Sequence, residues 1–187
     1  MIFVHSRRET LVTAEMILKT AKDCKEEALF RPAVNIQPQI NPGSVKSKQL
    51  RDLLPKGAGI HNAGLLRKDR NLVEKLFFDG KIRFLVTTAT LAWGVNLPAY
   101  AVIIKGTDIY DPTRGNSDLS ILDIKQIFGR AGRPQFDDNG EAILITDINK
   151  VNQYIASLNN SAPIESKLLA HMGEALNAEI SLNNISS

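Results

Sequence analysis

The sequence predicts an α/β protein built as a doubly wound parallel sheet with helices on both faces and a helical C-terminal extension. Three observations carry this. Short apolar runs rich in β-branched residues recur along the 187-residue chain, and segments with helical period separate them. The runs are continuously apolar rather than alternating, as expected of strands buried on both faces. Strands interleaved with helices in this way pair in parallel through right-handed crossovers.

The first strand is the run at residues 1–4, broken at His5. Leu11, Ala14, Ile17, Leu18 and Ala21 then fall on one face of a helix. Ser6 and Glu9 precede it with the spacing of a capping box. Residues 31–47 carry Pro32, Pro38, Pro42 and Gly43 with little periodic signal, which predicts a long mobile surface insertion before a helix at 47–54. A second strand follows at 58–60, and Leu72, Val73, Leu76 and Phe77 mark another helix. Residues 82–86, 101–104 and 142–145 are the remaining buried strands. Residues 148–158 have helical period, Pro163 interrupts it, and 166–180 resume it with Leu168, Leu169, Met172, Leu176 and Ile180. That last stripe needs a partner surface.

Composition sets bounds on function. Twenty-three basic residues against twenty acidic give net +3, and a pI near 9.0 permits polyanion binding without demanding it. Cys24 stands alone, and with three histidines the chain offers no Cys/His cluster at metal-ligand spacing. No stretch approaches the roughly 18 apolar residues of a membrane helix, so no membrane partner is expected.

Ligands of open α/β sheets bind outside the carboxyl ends of the strands. Three clusters are predicted at that edge: His5-Ser6-Arg7, His61-Asn62-Ala63-Gly64, and residues 87–98 with Thr87, Thr88, Thr90 and Gly94. Each has a plain structural account. Ser6 can serve only as a helix cap, His61 as a satisfied loop histidine, and the threonines as caps of a short helix. Gln126-Ile127-Phe128-Gly129-Arg130-Ala131-Gly132-Arg133 is more distinctive. Its small residues leave two guanidinium groups room to approach a planar or tetrahedral anion, although Asp137, Asp138 or Glu141 could pair with them instead.

Residues 126–133, as Q-x-x-G-R-A-G-R, resemble motif VI of superfamily 2 helicases, and residues 87–98 resemble motif V. His5-Ser6-Arg7 is similar to motif IV, and 61–65 to the H-H-A-G-[LM] block of the superkiller-type branch, with Asn62 in place of the second histidine. The words at 92–99, 103–107 and 176–180 narrow the resemblance to large tandem-cassette members. It covers almost the whole chain and implies a RecA-like second lobe at 1–160, with 161–187 opening a helical or winged-helix region.

The resemblance also implies the site. Arg130 and Arg133 would be arginine fingers on the γ-phosphate of ATP, and Gln126 would contact that phosphate or the attacking water. Gly94 and Asn96 would lie near the nucleotide. Ser6, Arg7, Thr87 and Thr88 would contact the backbone of single-stranded RNA or DNA. Residues 105–118 are too long for a tight crossover; in such helicases this region carries a strand-separating hairpin. Ile109 and Tyr110 would form one arm, with Arg114 in a tip at 112–115, against the alternative of a plain surface loop. The sequence contains no G-x-x-x-x-G-K-[ST] loop and no D-E-x-H box. ATP and its Mg2+ are therefore expected on a first RecA-like lobe, and this lobe alone is expected to be inactive. A larger multi-subunit complex in the nucleus, or in the cytoplasm, is implied as its setting. The competing reading is an inert helicase-like lobe that serves as a protein-interaction scaffold.

Overall fold

The computed structural model describes residues 1–32, 45–89, 97–111, 115–132, 139–160 and 168–182. Five strands, β1 (Ile2–Val4), β2 (Ala58–His61), β3 (Phe84–Thr88), β4 (Ala101–Lys105) and β7 (Glu141–Ile145), form one parallel sheet in the order β2-β3-β1-β4-β7. Between β4 and β7 lie β5 (Asp108–Asp111) and β6 (Gly115–Asp118), which pair with each other in an antiparallel hairpin. The helices are α1 (Arg7–Asp23), α2 (Lys48–Leu53), α3 (Arg67–Phe78), α4 (Ile121–Phe128), α5 (Val151–Asn159) and α6 (Met172–Ser181).

The winding explains why the sequence looks as it does. From β1 the chain passes over β3 to reach β2 and then returns to β3. Two right-handed crossovers in opposite directions put α1 and α3 on opposite faces. β2 and the first four positions of β3 are buried, which is why their sequences are continuously apolar. Phe3, Ile60, Leu76, Leu85 and Ile104 are nearly or fully buried in the shared core. On the alternate side of the switch point, β4 continues outward to β7.

Three expectations are corrected. The segment at 31–47 is not wholly a surface insertion, because Val45 is fully buried. The amides of Lys46 and Ser47 both donate to the carboxylate of Asp69, at 3.0 and 2.8 Å, and pin this end of the segment to α3. Residues 33–44 lie outside the described residues. The third strand runs two residues later than predicted. Ile82 is buried, yet its amide donates to the Leu76 carbonyl in the turn that ends α3, so its apolar side chain marks a turn rather than a strand. Finally, β7 is an edge strand, with Ile143 44% and Ile145 52% exposed, whereas continuous apolarity predicted burial.

The predicted C-terminal helices are present as a short turn at Leu168–His171 and as α6. Leu169, Met172, Leu176, Ile180 and Leu182 are exposed along them. Among the described residues no helix is long and apolar enough to cross a membrane.

Candidate nucleotide and nucleic-acid interfaces

Because all five strands are parallel, their carboxyl ends share one edge, as the sequence predicts for His5 to Arg7, His61 to Gly64, and Thr87 and Thr88. Ser6 is the N-cap of α1. Its Oγ accepts from the Glu9 amide at 3.2 Å, while Glu9 Oε2 accepts from the His5 amide at 3.2 Å. Capping uses only the acceptor side of the Ser6 hydroxyl, and the residue is exposed. The two accounts of Ser6 are therefore compatible. Arg7 is exposed and lies across Gly64: a Cβ at Gly64 would meet Arg7 Cδ at 3.4 Å and Nη1 at 3.5 Å.

Asn62 has a clear local task. Its side-chain amide donates to Thr10 Oγ1 at 2.9 Å, and its oxygen accepts from the Gly64 amide at 3.0 Å. Thr10 in turn donates to the Arg7 carbonyl at 2.6 Å. Asn62 thus ties the start of α1 to the loop after β2, and both cluster at the predicted edge. His61 is not a loop residue. It closes β2, is buried, and sits with Nε2 2.7 Å from Glu74 Oε1 on α3. Burial pushes its pKa below the ordinary value, against the opposing pull of the Glu74 carboxylate.

Thr87 and Thr88 are the last residues of β3 rather than a following loop. Thr87 is fully buried and donates Oγ1 to the Thr88 carbonyl at 3.0 Å, so its hydroxyl is not presented at the surface. Thr88 is half-buried at the strand end.

Between β1 and β4, where the winding changes direction, His5 Nε2 donates to the Gly106 carbonyl at 2.7 Å across the crevice. Gly106 has φ +89°, a left-handed conformation that glycine adopts without strain. The hairpin then projects from this carboxyl edge. Its pairing, Ile109 with Ser117 and Tyr110 with Asn116, replaces the plain-loop alternative with a regular hairpin. Gly115 pairs with Asp111 and so belongs to β6 rather than the tip. Ile109 packs against the core, whereas Tyr110 is 75% exposed. The rest of the tip, Arg114 included, lies outside the described residues.

The arginine segment occupies the opposite, amino edge, apart from the clusters at the carboxyl ends. α4 starts behind the hairpin and runs back across the sheet, burying Ile124 and Ile127. It ends at Gly129, and Arg130 follows at the amino edge. There the Ala99 amide donates to the Arg130 carbonyl at 2.9 Å, and the Gly132 amide donates to the Ala99 carbonyl at 2.8 Å. Gln126 and Arg130 are four residues apart and share one side of this turn. Both are half-buried. Ala99 directly follows the stretch resembling motif V, so backbone hydrogen bonds place the arginine segment beside the end of that stretch. Gly94, Asn96 and Arg133 lie outside the described residues.

A five-stranded parallel sheet flanked by helices, with an arginine segment bonded at its amino edge, defines a RecA-like class of α/β domain. The chain belongs to the helicase conserved C-terminal domain family, matching it over residues 39–135, and fits the C-terminal lobe of a superfamily 2 helicase. Over its full length it is 51% identical to activating signal cointegrator 1 complex subunit 3 of Homo sapiens and 49% identical to that of Dictyostelium discoideum. It is 47% identical, again over its full length, to the DExH-box ATP-dependent RNA helicase DExH14 of Arabidopsis thaliana. The chain spans 9%, 8% and 9% of those proteins respectively.

Proposed function

We propose that this chain is the second motor lobe of an ATP-dependent helicase that acts on single-stranded RNA or DNA within a multi-subunit complex, in the nucleus or cytoplasm. It completes an ATP site whose phosphate loop and Mg2+ belong to a first RecA-like lobe. Arg130 and Arg133 stabilise the negative charge that develops on the transferred phosphoryl group, and Gln126 orients the same phosphate or the attacking water. Gly94 and Asn96 line the nucleotide. Ser6, Arg7, Thr87 and Thr88 contact the phosphate backbone, which supplies affinity without base specificity. Residues 1–160 form the lobe, and 161–187 lead into the next region.

The observation that carries this reading is the separation of two edges. Backbone bonds of 2.8 and 2.9 Å link the arginine segment to the end of motif V at one edge, while Ser6, Arg7, Thr88 and the hairpin occupy the other. One lobe can then meet nucleotide and nucleic acid together. An inert scaffold has no chemical need for two such arginines.

The test is Arg130→Ala and Arg130→Lys in a protein that carries this chain behind its first lobe. Turnover of ATP should fall by about 10³ to 10⁵ with nucleic-acid affinity nearly unchanged. Lysine should not rescue, because the planar fork is lost. A loss below about tenfold would reduce Arg130 to a structural ion-pair partner.

A further inference from the structure

The hairpin is rooted by contacts from three separate parts of the chain. The Leu119 amide donates to the Thr107 carbonyl at 2.7 Å and closes its base. The Thr107 hydroxyl lies 2.7 Å from that of Thr146, and the Tyr154 hydroxyl of α5 donates to the Leu119 carbonyl at 3.1 Å. On the next rung Asp108 and Asp118 stand directly opposite each other. Like charges opposed across antiparallel strands repel, so this rung alone would splay the hairpin at its root.

Lys150, the last residue of the turn Ile148–Lys150 before α5, resolves the conflict. Its Nζ donates to Oδ1 of Asp118 at 2.6 Å and also to Oδ1 of Asp108. The Lys150 side chain is only 25% exposed, against 43% for Asp118 and 70% for Asp108. The two carboxylates hold its ammonium above the ordinary lysine range. An isolated surface ion pair contributes little to stability. Here one cation serves two opposed anions, and its removal leaves them facing each other.

We propose that Lys150 is a positioning residue for strand separation: by bridging Asp108 and Asp118 it fixes the stance of the β5–β6 hairpin, and with it Tyr110. The inference rests on the hairpin's being the strand-separating wedge of the proposed helicase. It adds a residue from outside the hairpin, 32 positions beyond Asp118, on which that wedge depends.

Lys150→Met keeps the length of the side chain and removes the charge; Lys150→Arg keeps the charge and a two-pronged donor. In this chain, amide exchange over residues 108–118 should be about tenfold faster in Lys150→Met, unchanged in Lys150→Arg, and unchanged in β1 and β3 of both. Adding Asp108→Asn and Asp118→Asn to Lys150→Met should restore slow exchange, because the repulsion is gone. With the first lobe present, Lys150→Met should lower duplex unwinding per ATP hydrolysed by about fivefold, with ATPase intact. Unchanged exchange, or equal loss of ATPase and unwinding, would overturn the role of Lys150. Replacing residues 111–117 by a Gly-Ser turn separates the two claims. If that variant loses unwinding while Lys150→Met does not, the wedge stands and Lys150 falls; if it still unwinds, the wedge falls, and the proposal with it.

Discussion

Gly140→Ala probes the arginine edge at a point where a single methyl group meets only backbone. A Cβ on Gly140 would lie 2.4 Å from the Gly132 nitrogen, 2.6 Å from the Ala131 carbonyl carbon and 2.8 Å from Gly132 Cα. Ordinary contact begins at 3.4 Å, and none of these atoms can rotate away. One of the two backbone segments must therefore shift by about an ångström, since the atoms met are main chain and not the far end of a flexible side chain. The segment met is the one that carries Arg130, joined to Ala99 by two backbone bonds, so a shift taken up there moves that residue. On the motor-lobe reading, misplacing a charge-stabilising group by about 1 Å costs about 10²-fold in rate, or about 2.7 kcal/mol of transition-state stabilisation. The assay is steady-state ATP turnover by a protein carrying both lobes, with nucleic-acid affinity measured in parallel as a control for folding. Gly132→Ala provides the contrast. Its Cβ would find nothing nearer than Gly140 Cα at 3.7 Å, but its φ of +92° makes any side chain strained. That variant should lose about 1–3 kcal/mol of stability. Turnover by Gly140→Ala within about twofold of the unsubstituted protein would refute the reasoning, since the contact would then impose no displacement.

Two further outcomes test the core and the buried histidine. Leu85→Ala, at a fully buried position of β3, should cost about 2–5 kcal/mol and lower the melting temperature by about 5–15 °C. A smaller change would mean that the two helical layers close over the void. His61 has a pKa below its ordinary 6.5, so the unfolded chain takes up a proton that the folded chain refuses. Its contribution is present above that pH and lost as pH falls through it, with a slope of at most about 1.4 kcal/mol per pH unit. Denaturation midpoints measured between about pH 5 and 7.5 should fall towards acid, and His61→Gln should flatten that trend. An equal slope in the variant would assign the dependence to other groups.

How much of this was legible in the sequence depended on whether a residue's task is local. Continuous apolarity identified β2 and β3 because both faces of each are covered, and the S-x-x-E spacing identified the cap at Ser6 because capping spans one helical turn. The same apolar signal misassigned β7, since a strand's position at the sheet edge is a matter of topology that its own residues do not encode. Ile82 was misread for a related reason: burial in a turn and burial in a strand select the same side chain. Residues 126–133 stood out by composition, yet nothing in their pattern said that α4 returns them to the amino edge. Asn62 looked like a departure from a motif and is a hydrogen-bonded link between α1 and β2. Lys150 left no local trace, because its partners are 42 and 32 residues away and each looks like an ordinary surface acid.

α4 is eight residues long, which at 1.5 Å per residue makes a strut of about 12 Å. Ser120 locks one end, its Oγ accepting from the Asp123 amide at 3.1 Å just after the hairpin closes; Arg130 follows the other end. A hydrogen-bonded helix of this length neither stretches nor compresses appreciably, and Ile124 and Ile127 seat its middle in the core. What remains to it is tilting about that seat, like a rocker on a fulcrum. A tilt of this kind would carry displacement at the Arg130 end to the hairpin root in the opposite sense. On the motor-lobe reading, this one short strut would join the phosphate to the hairpin.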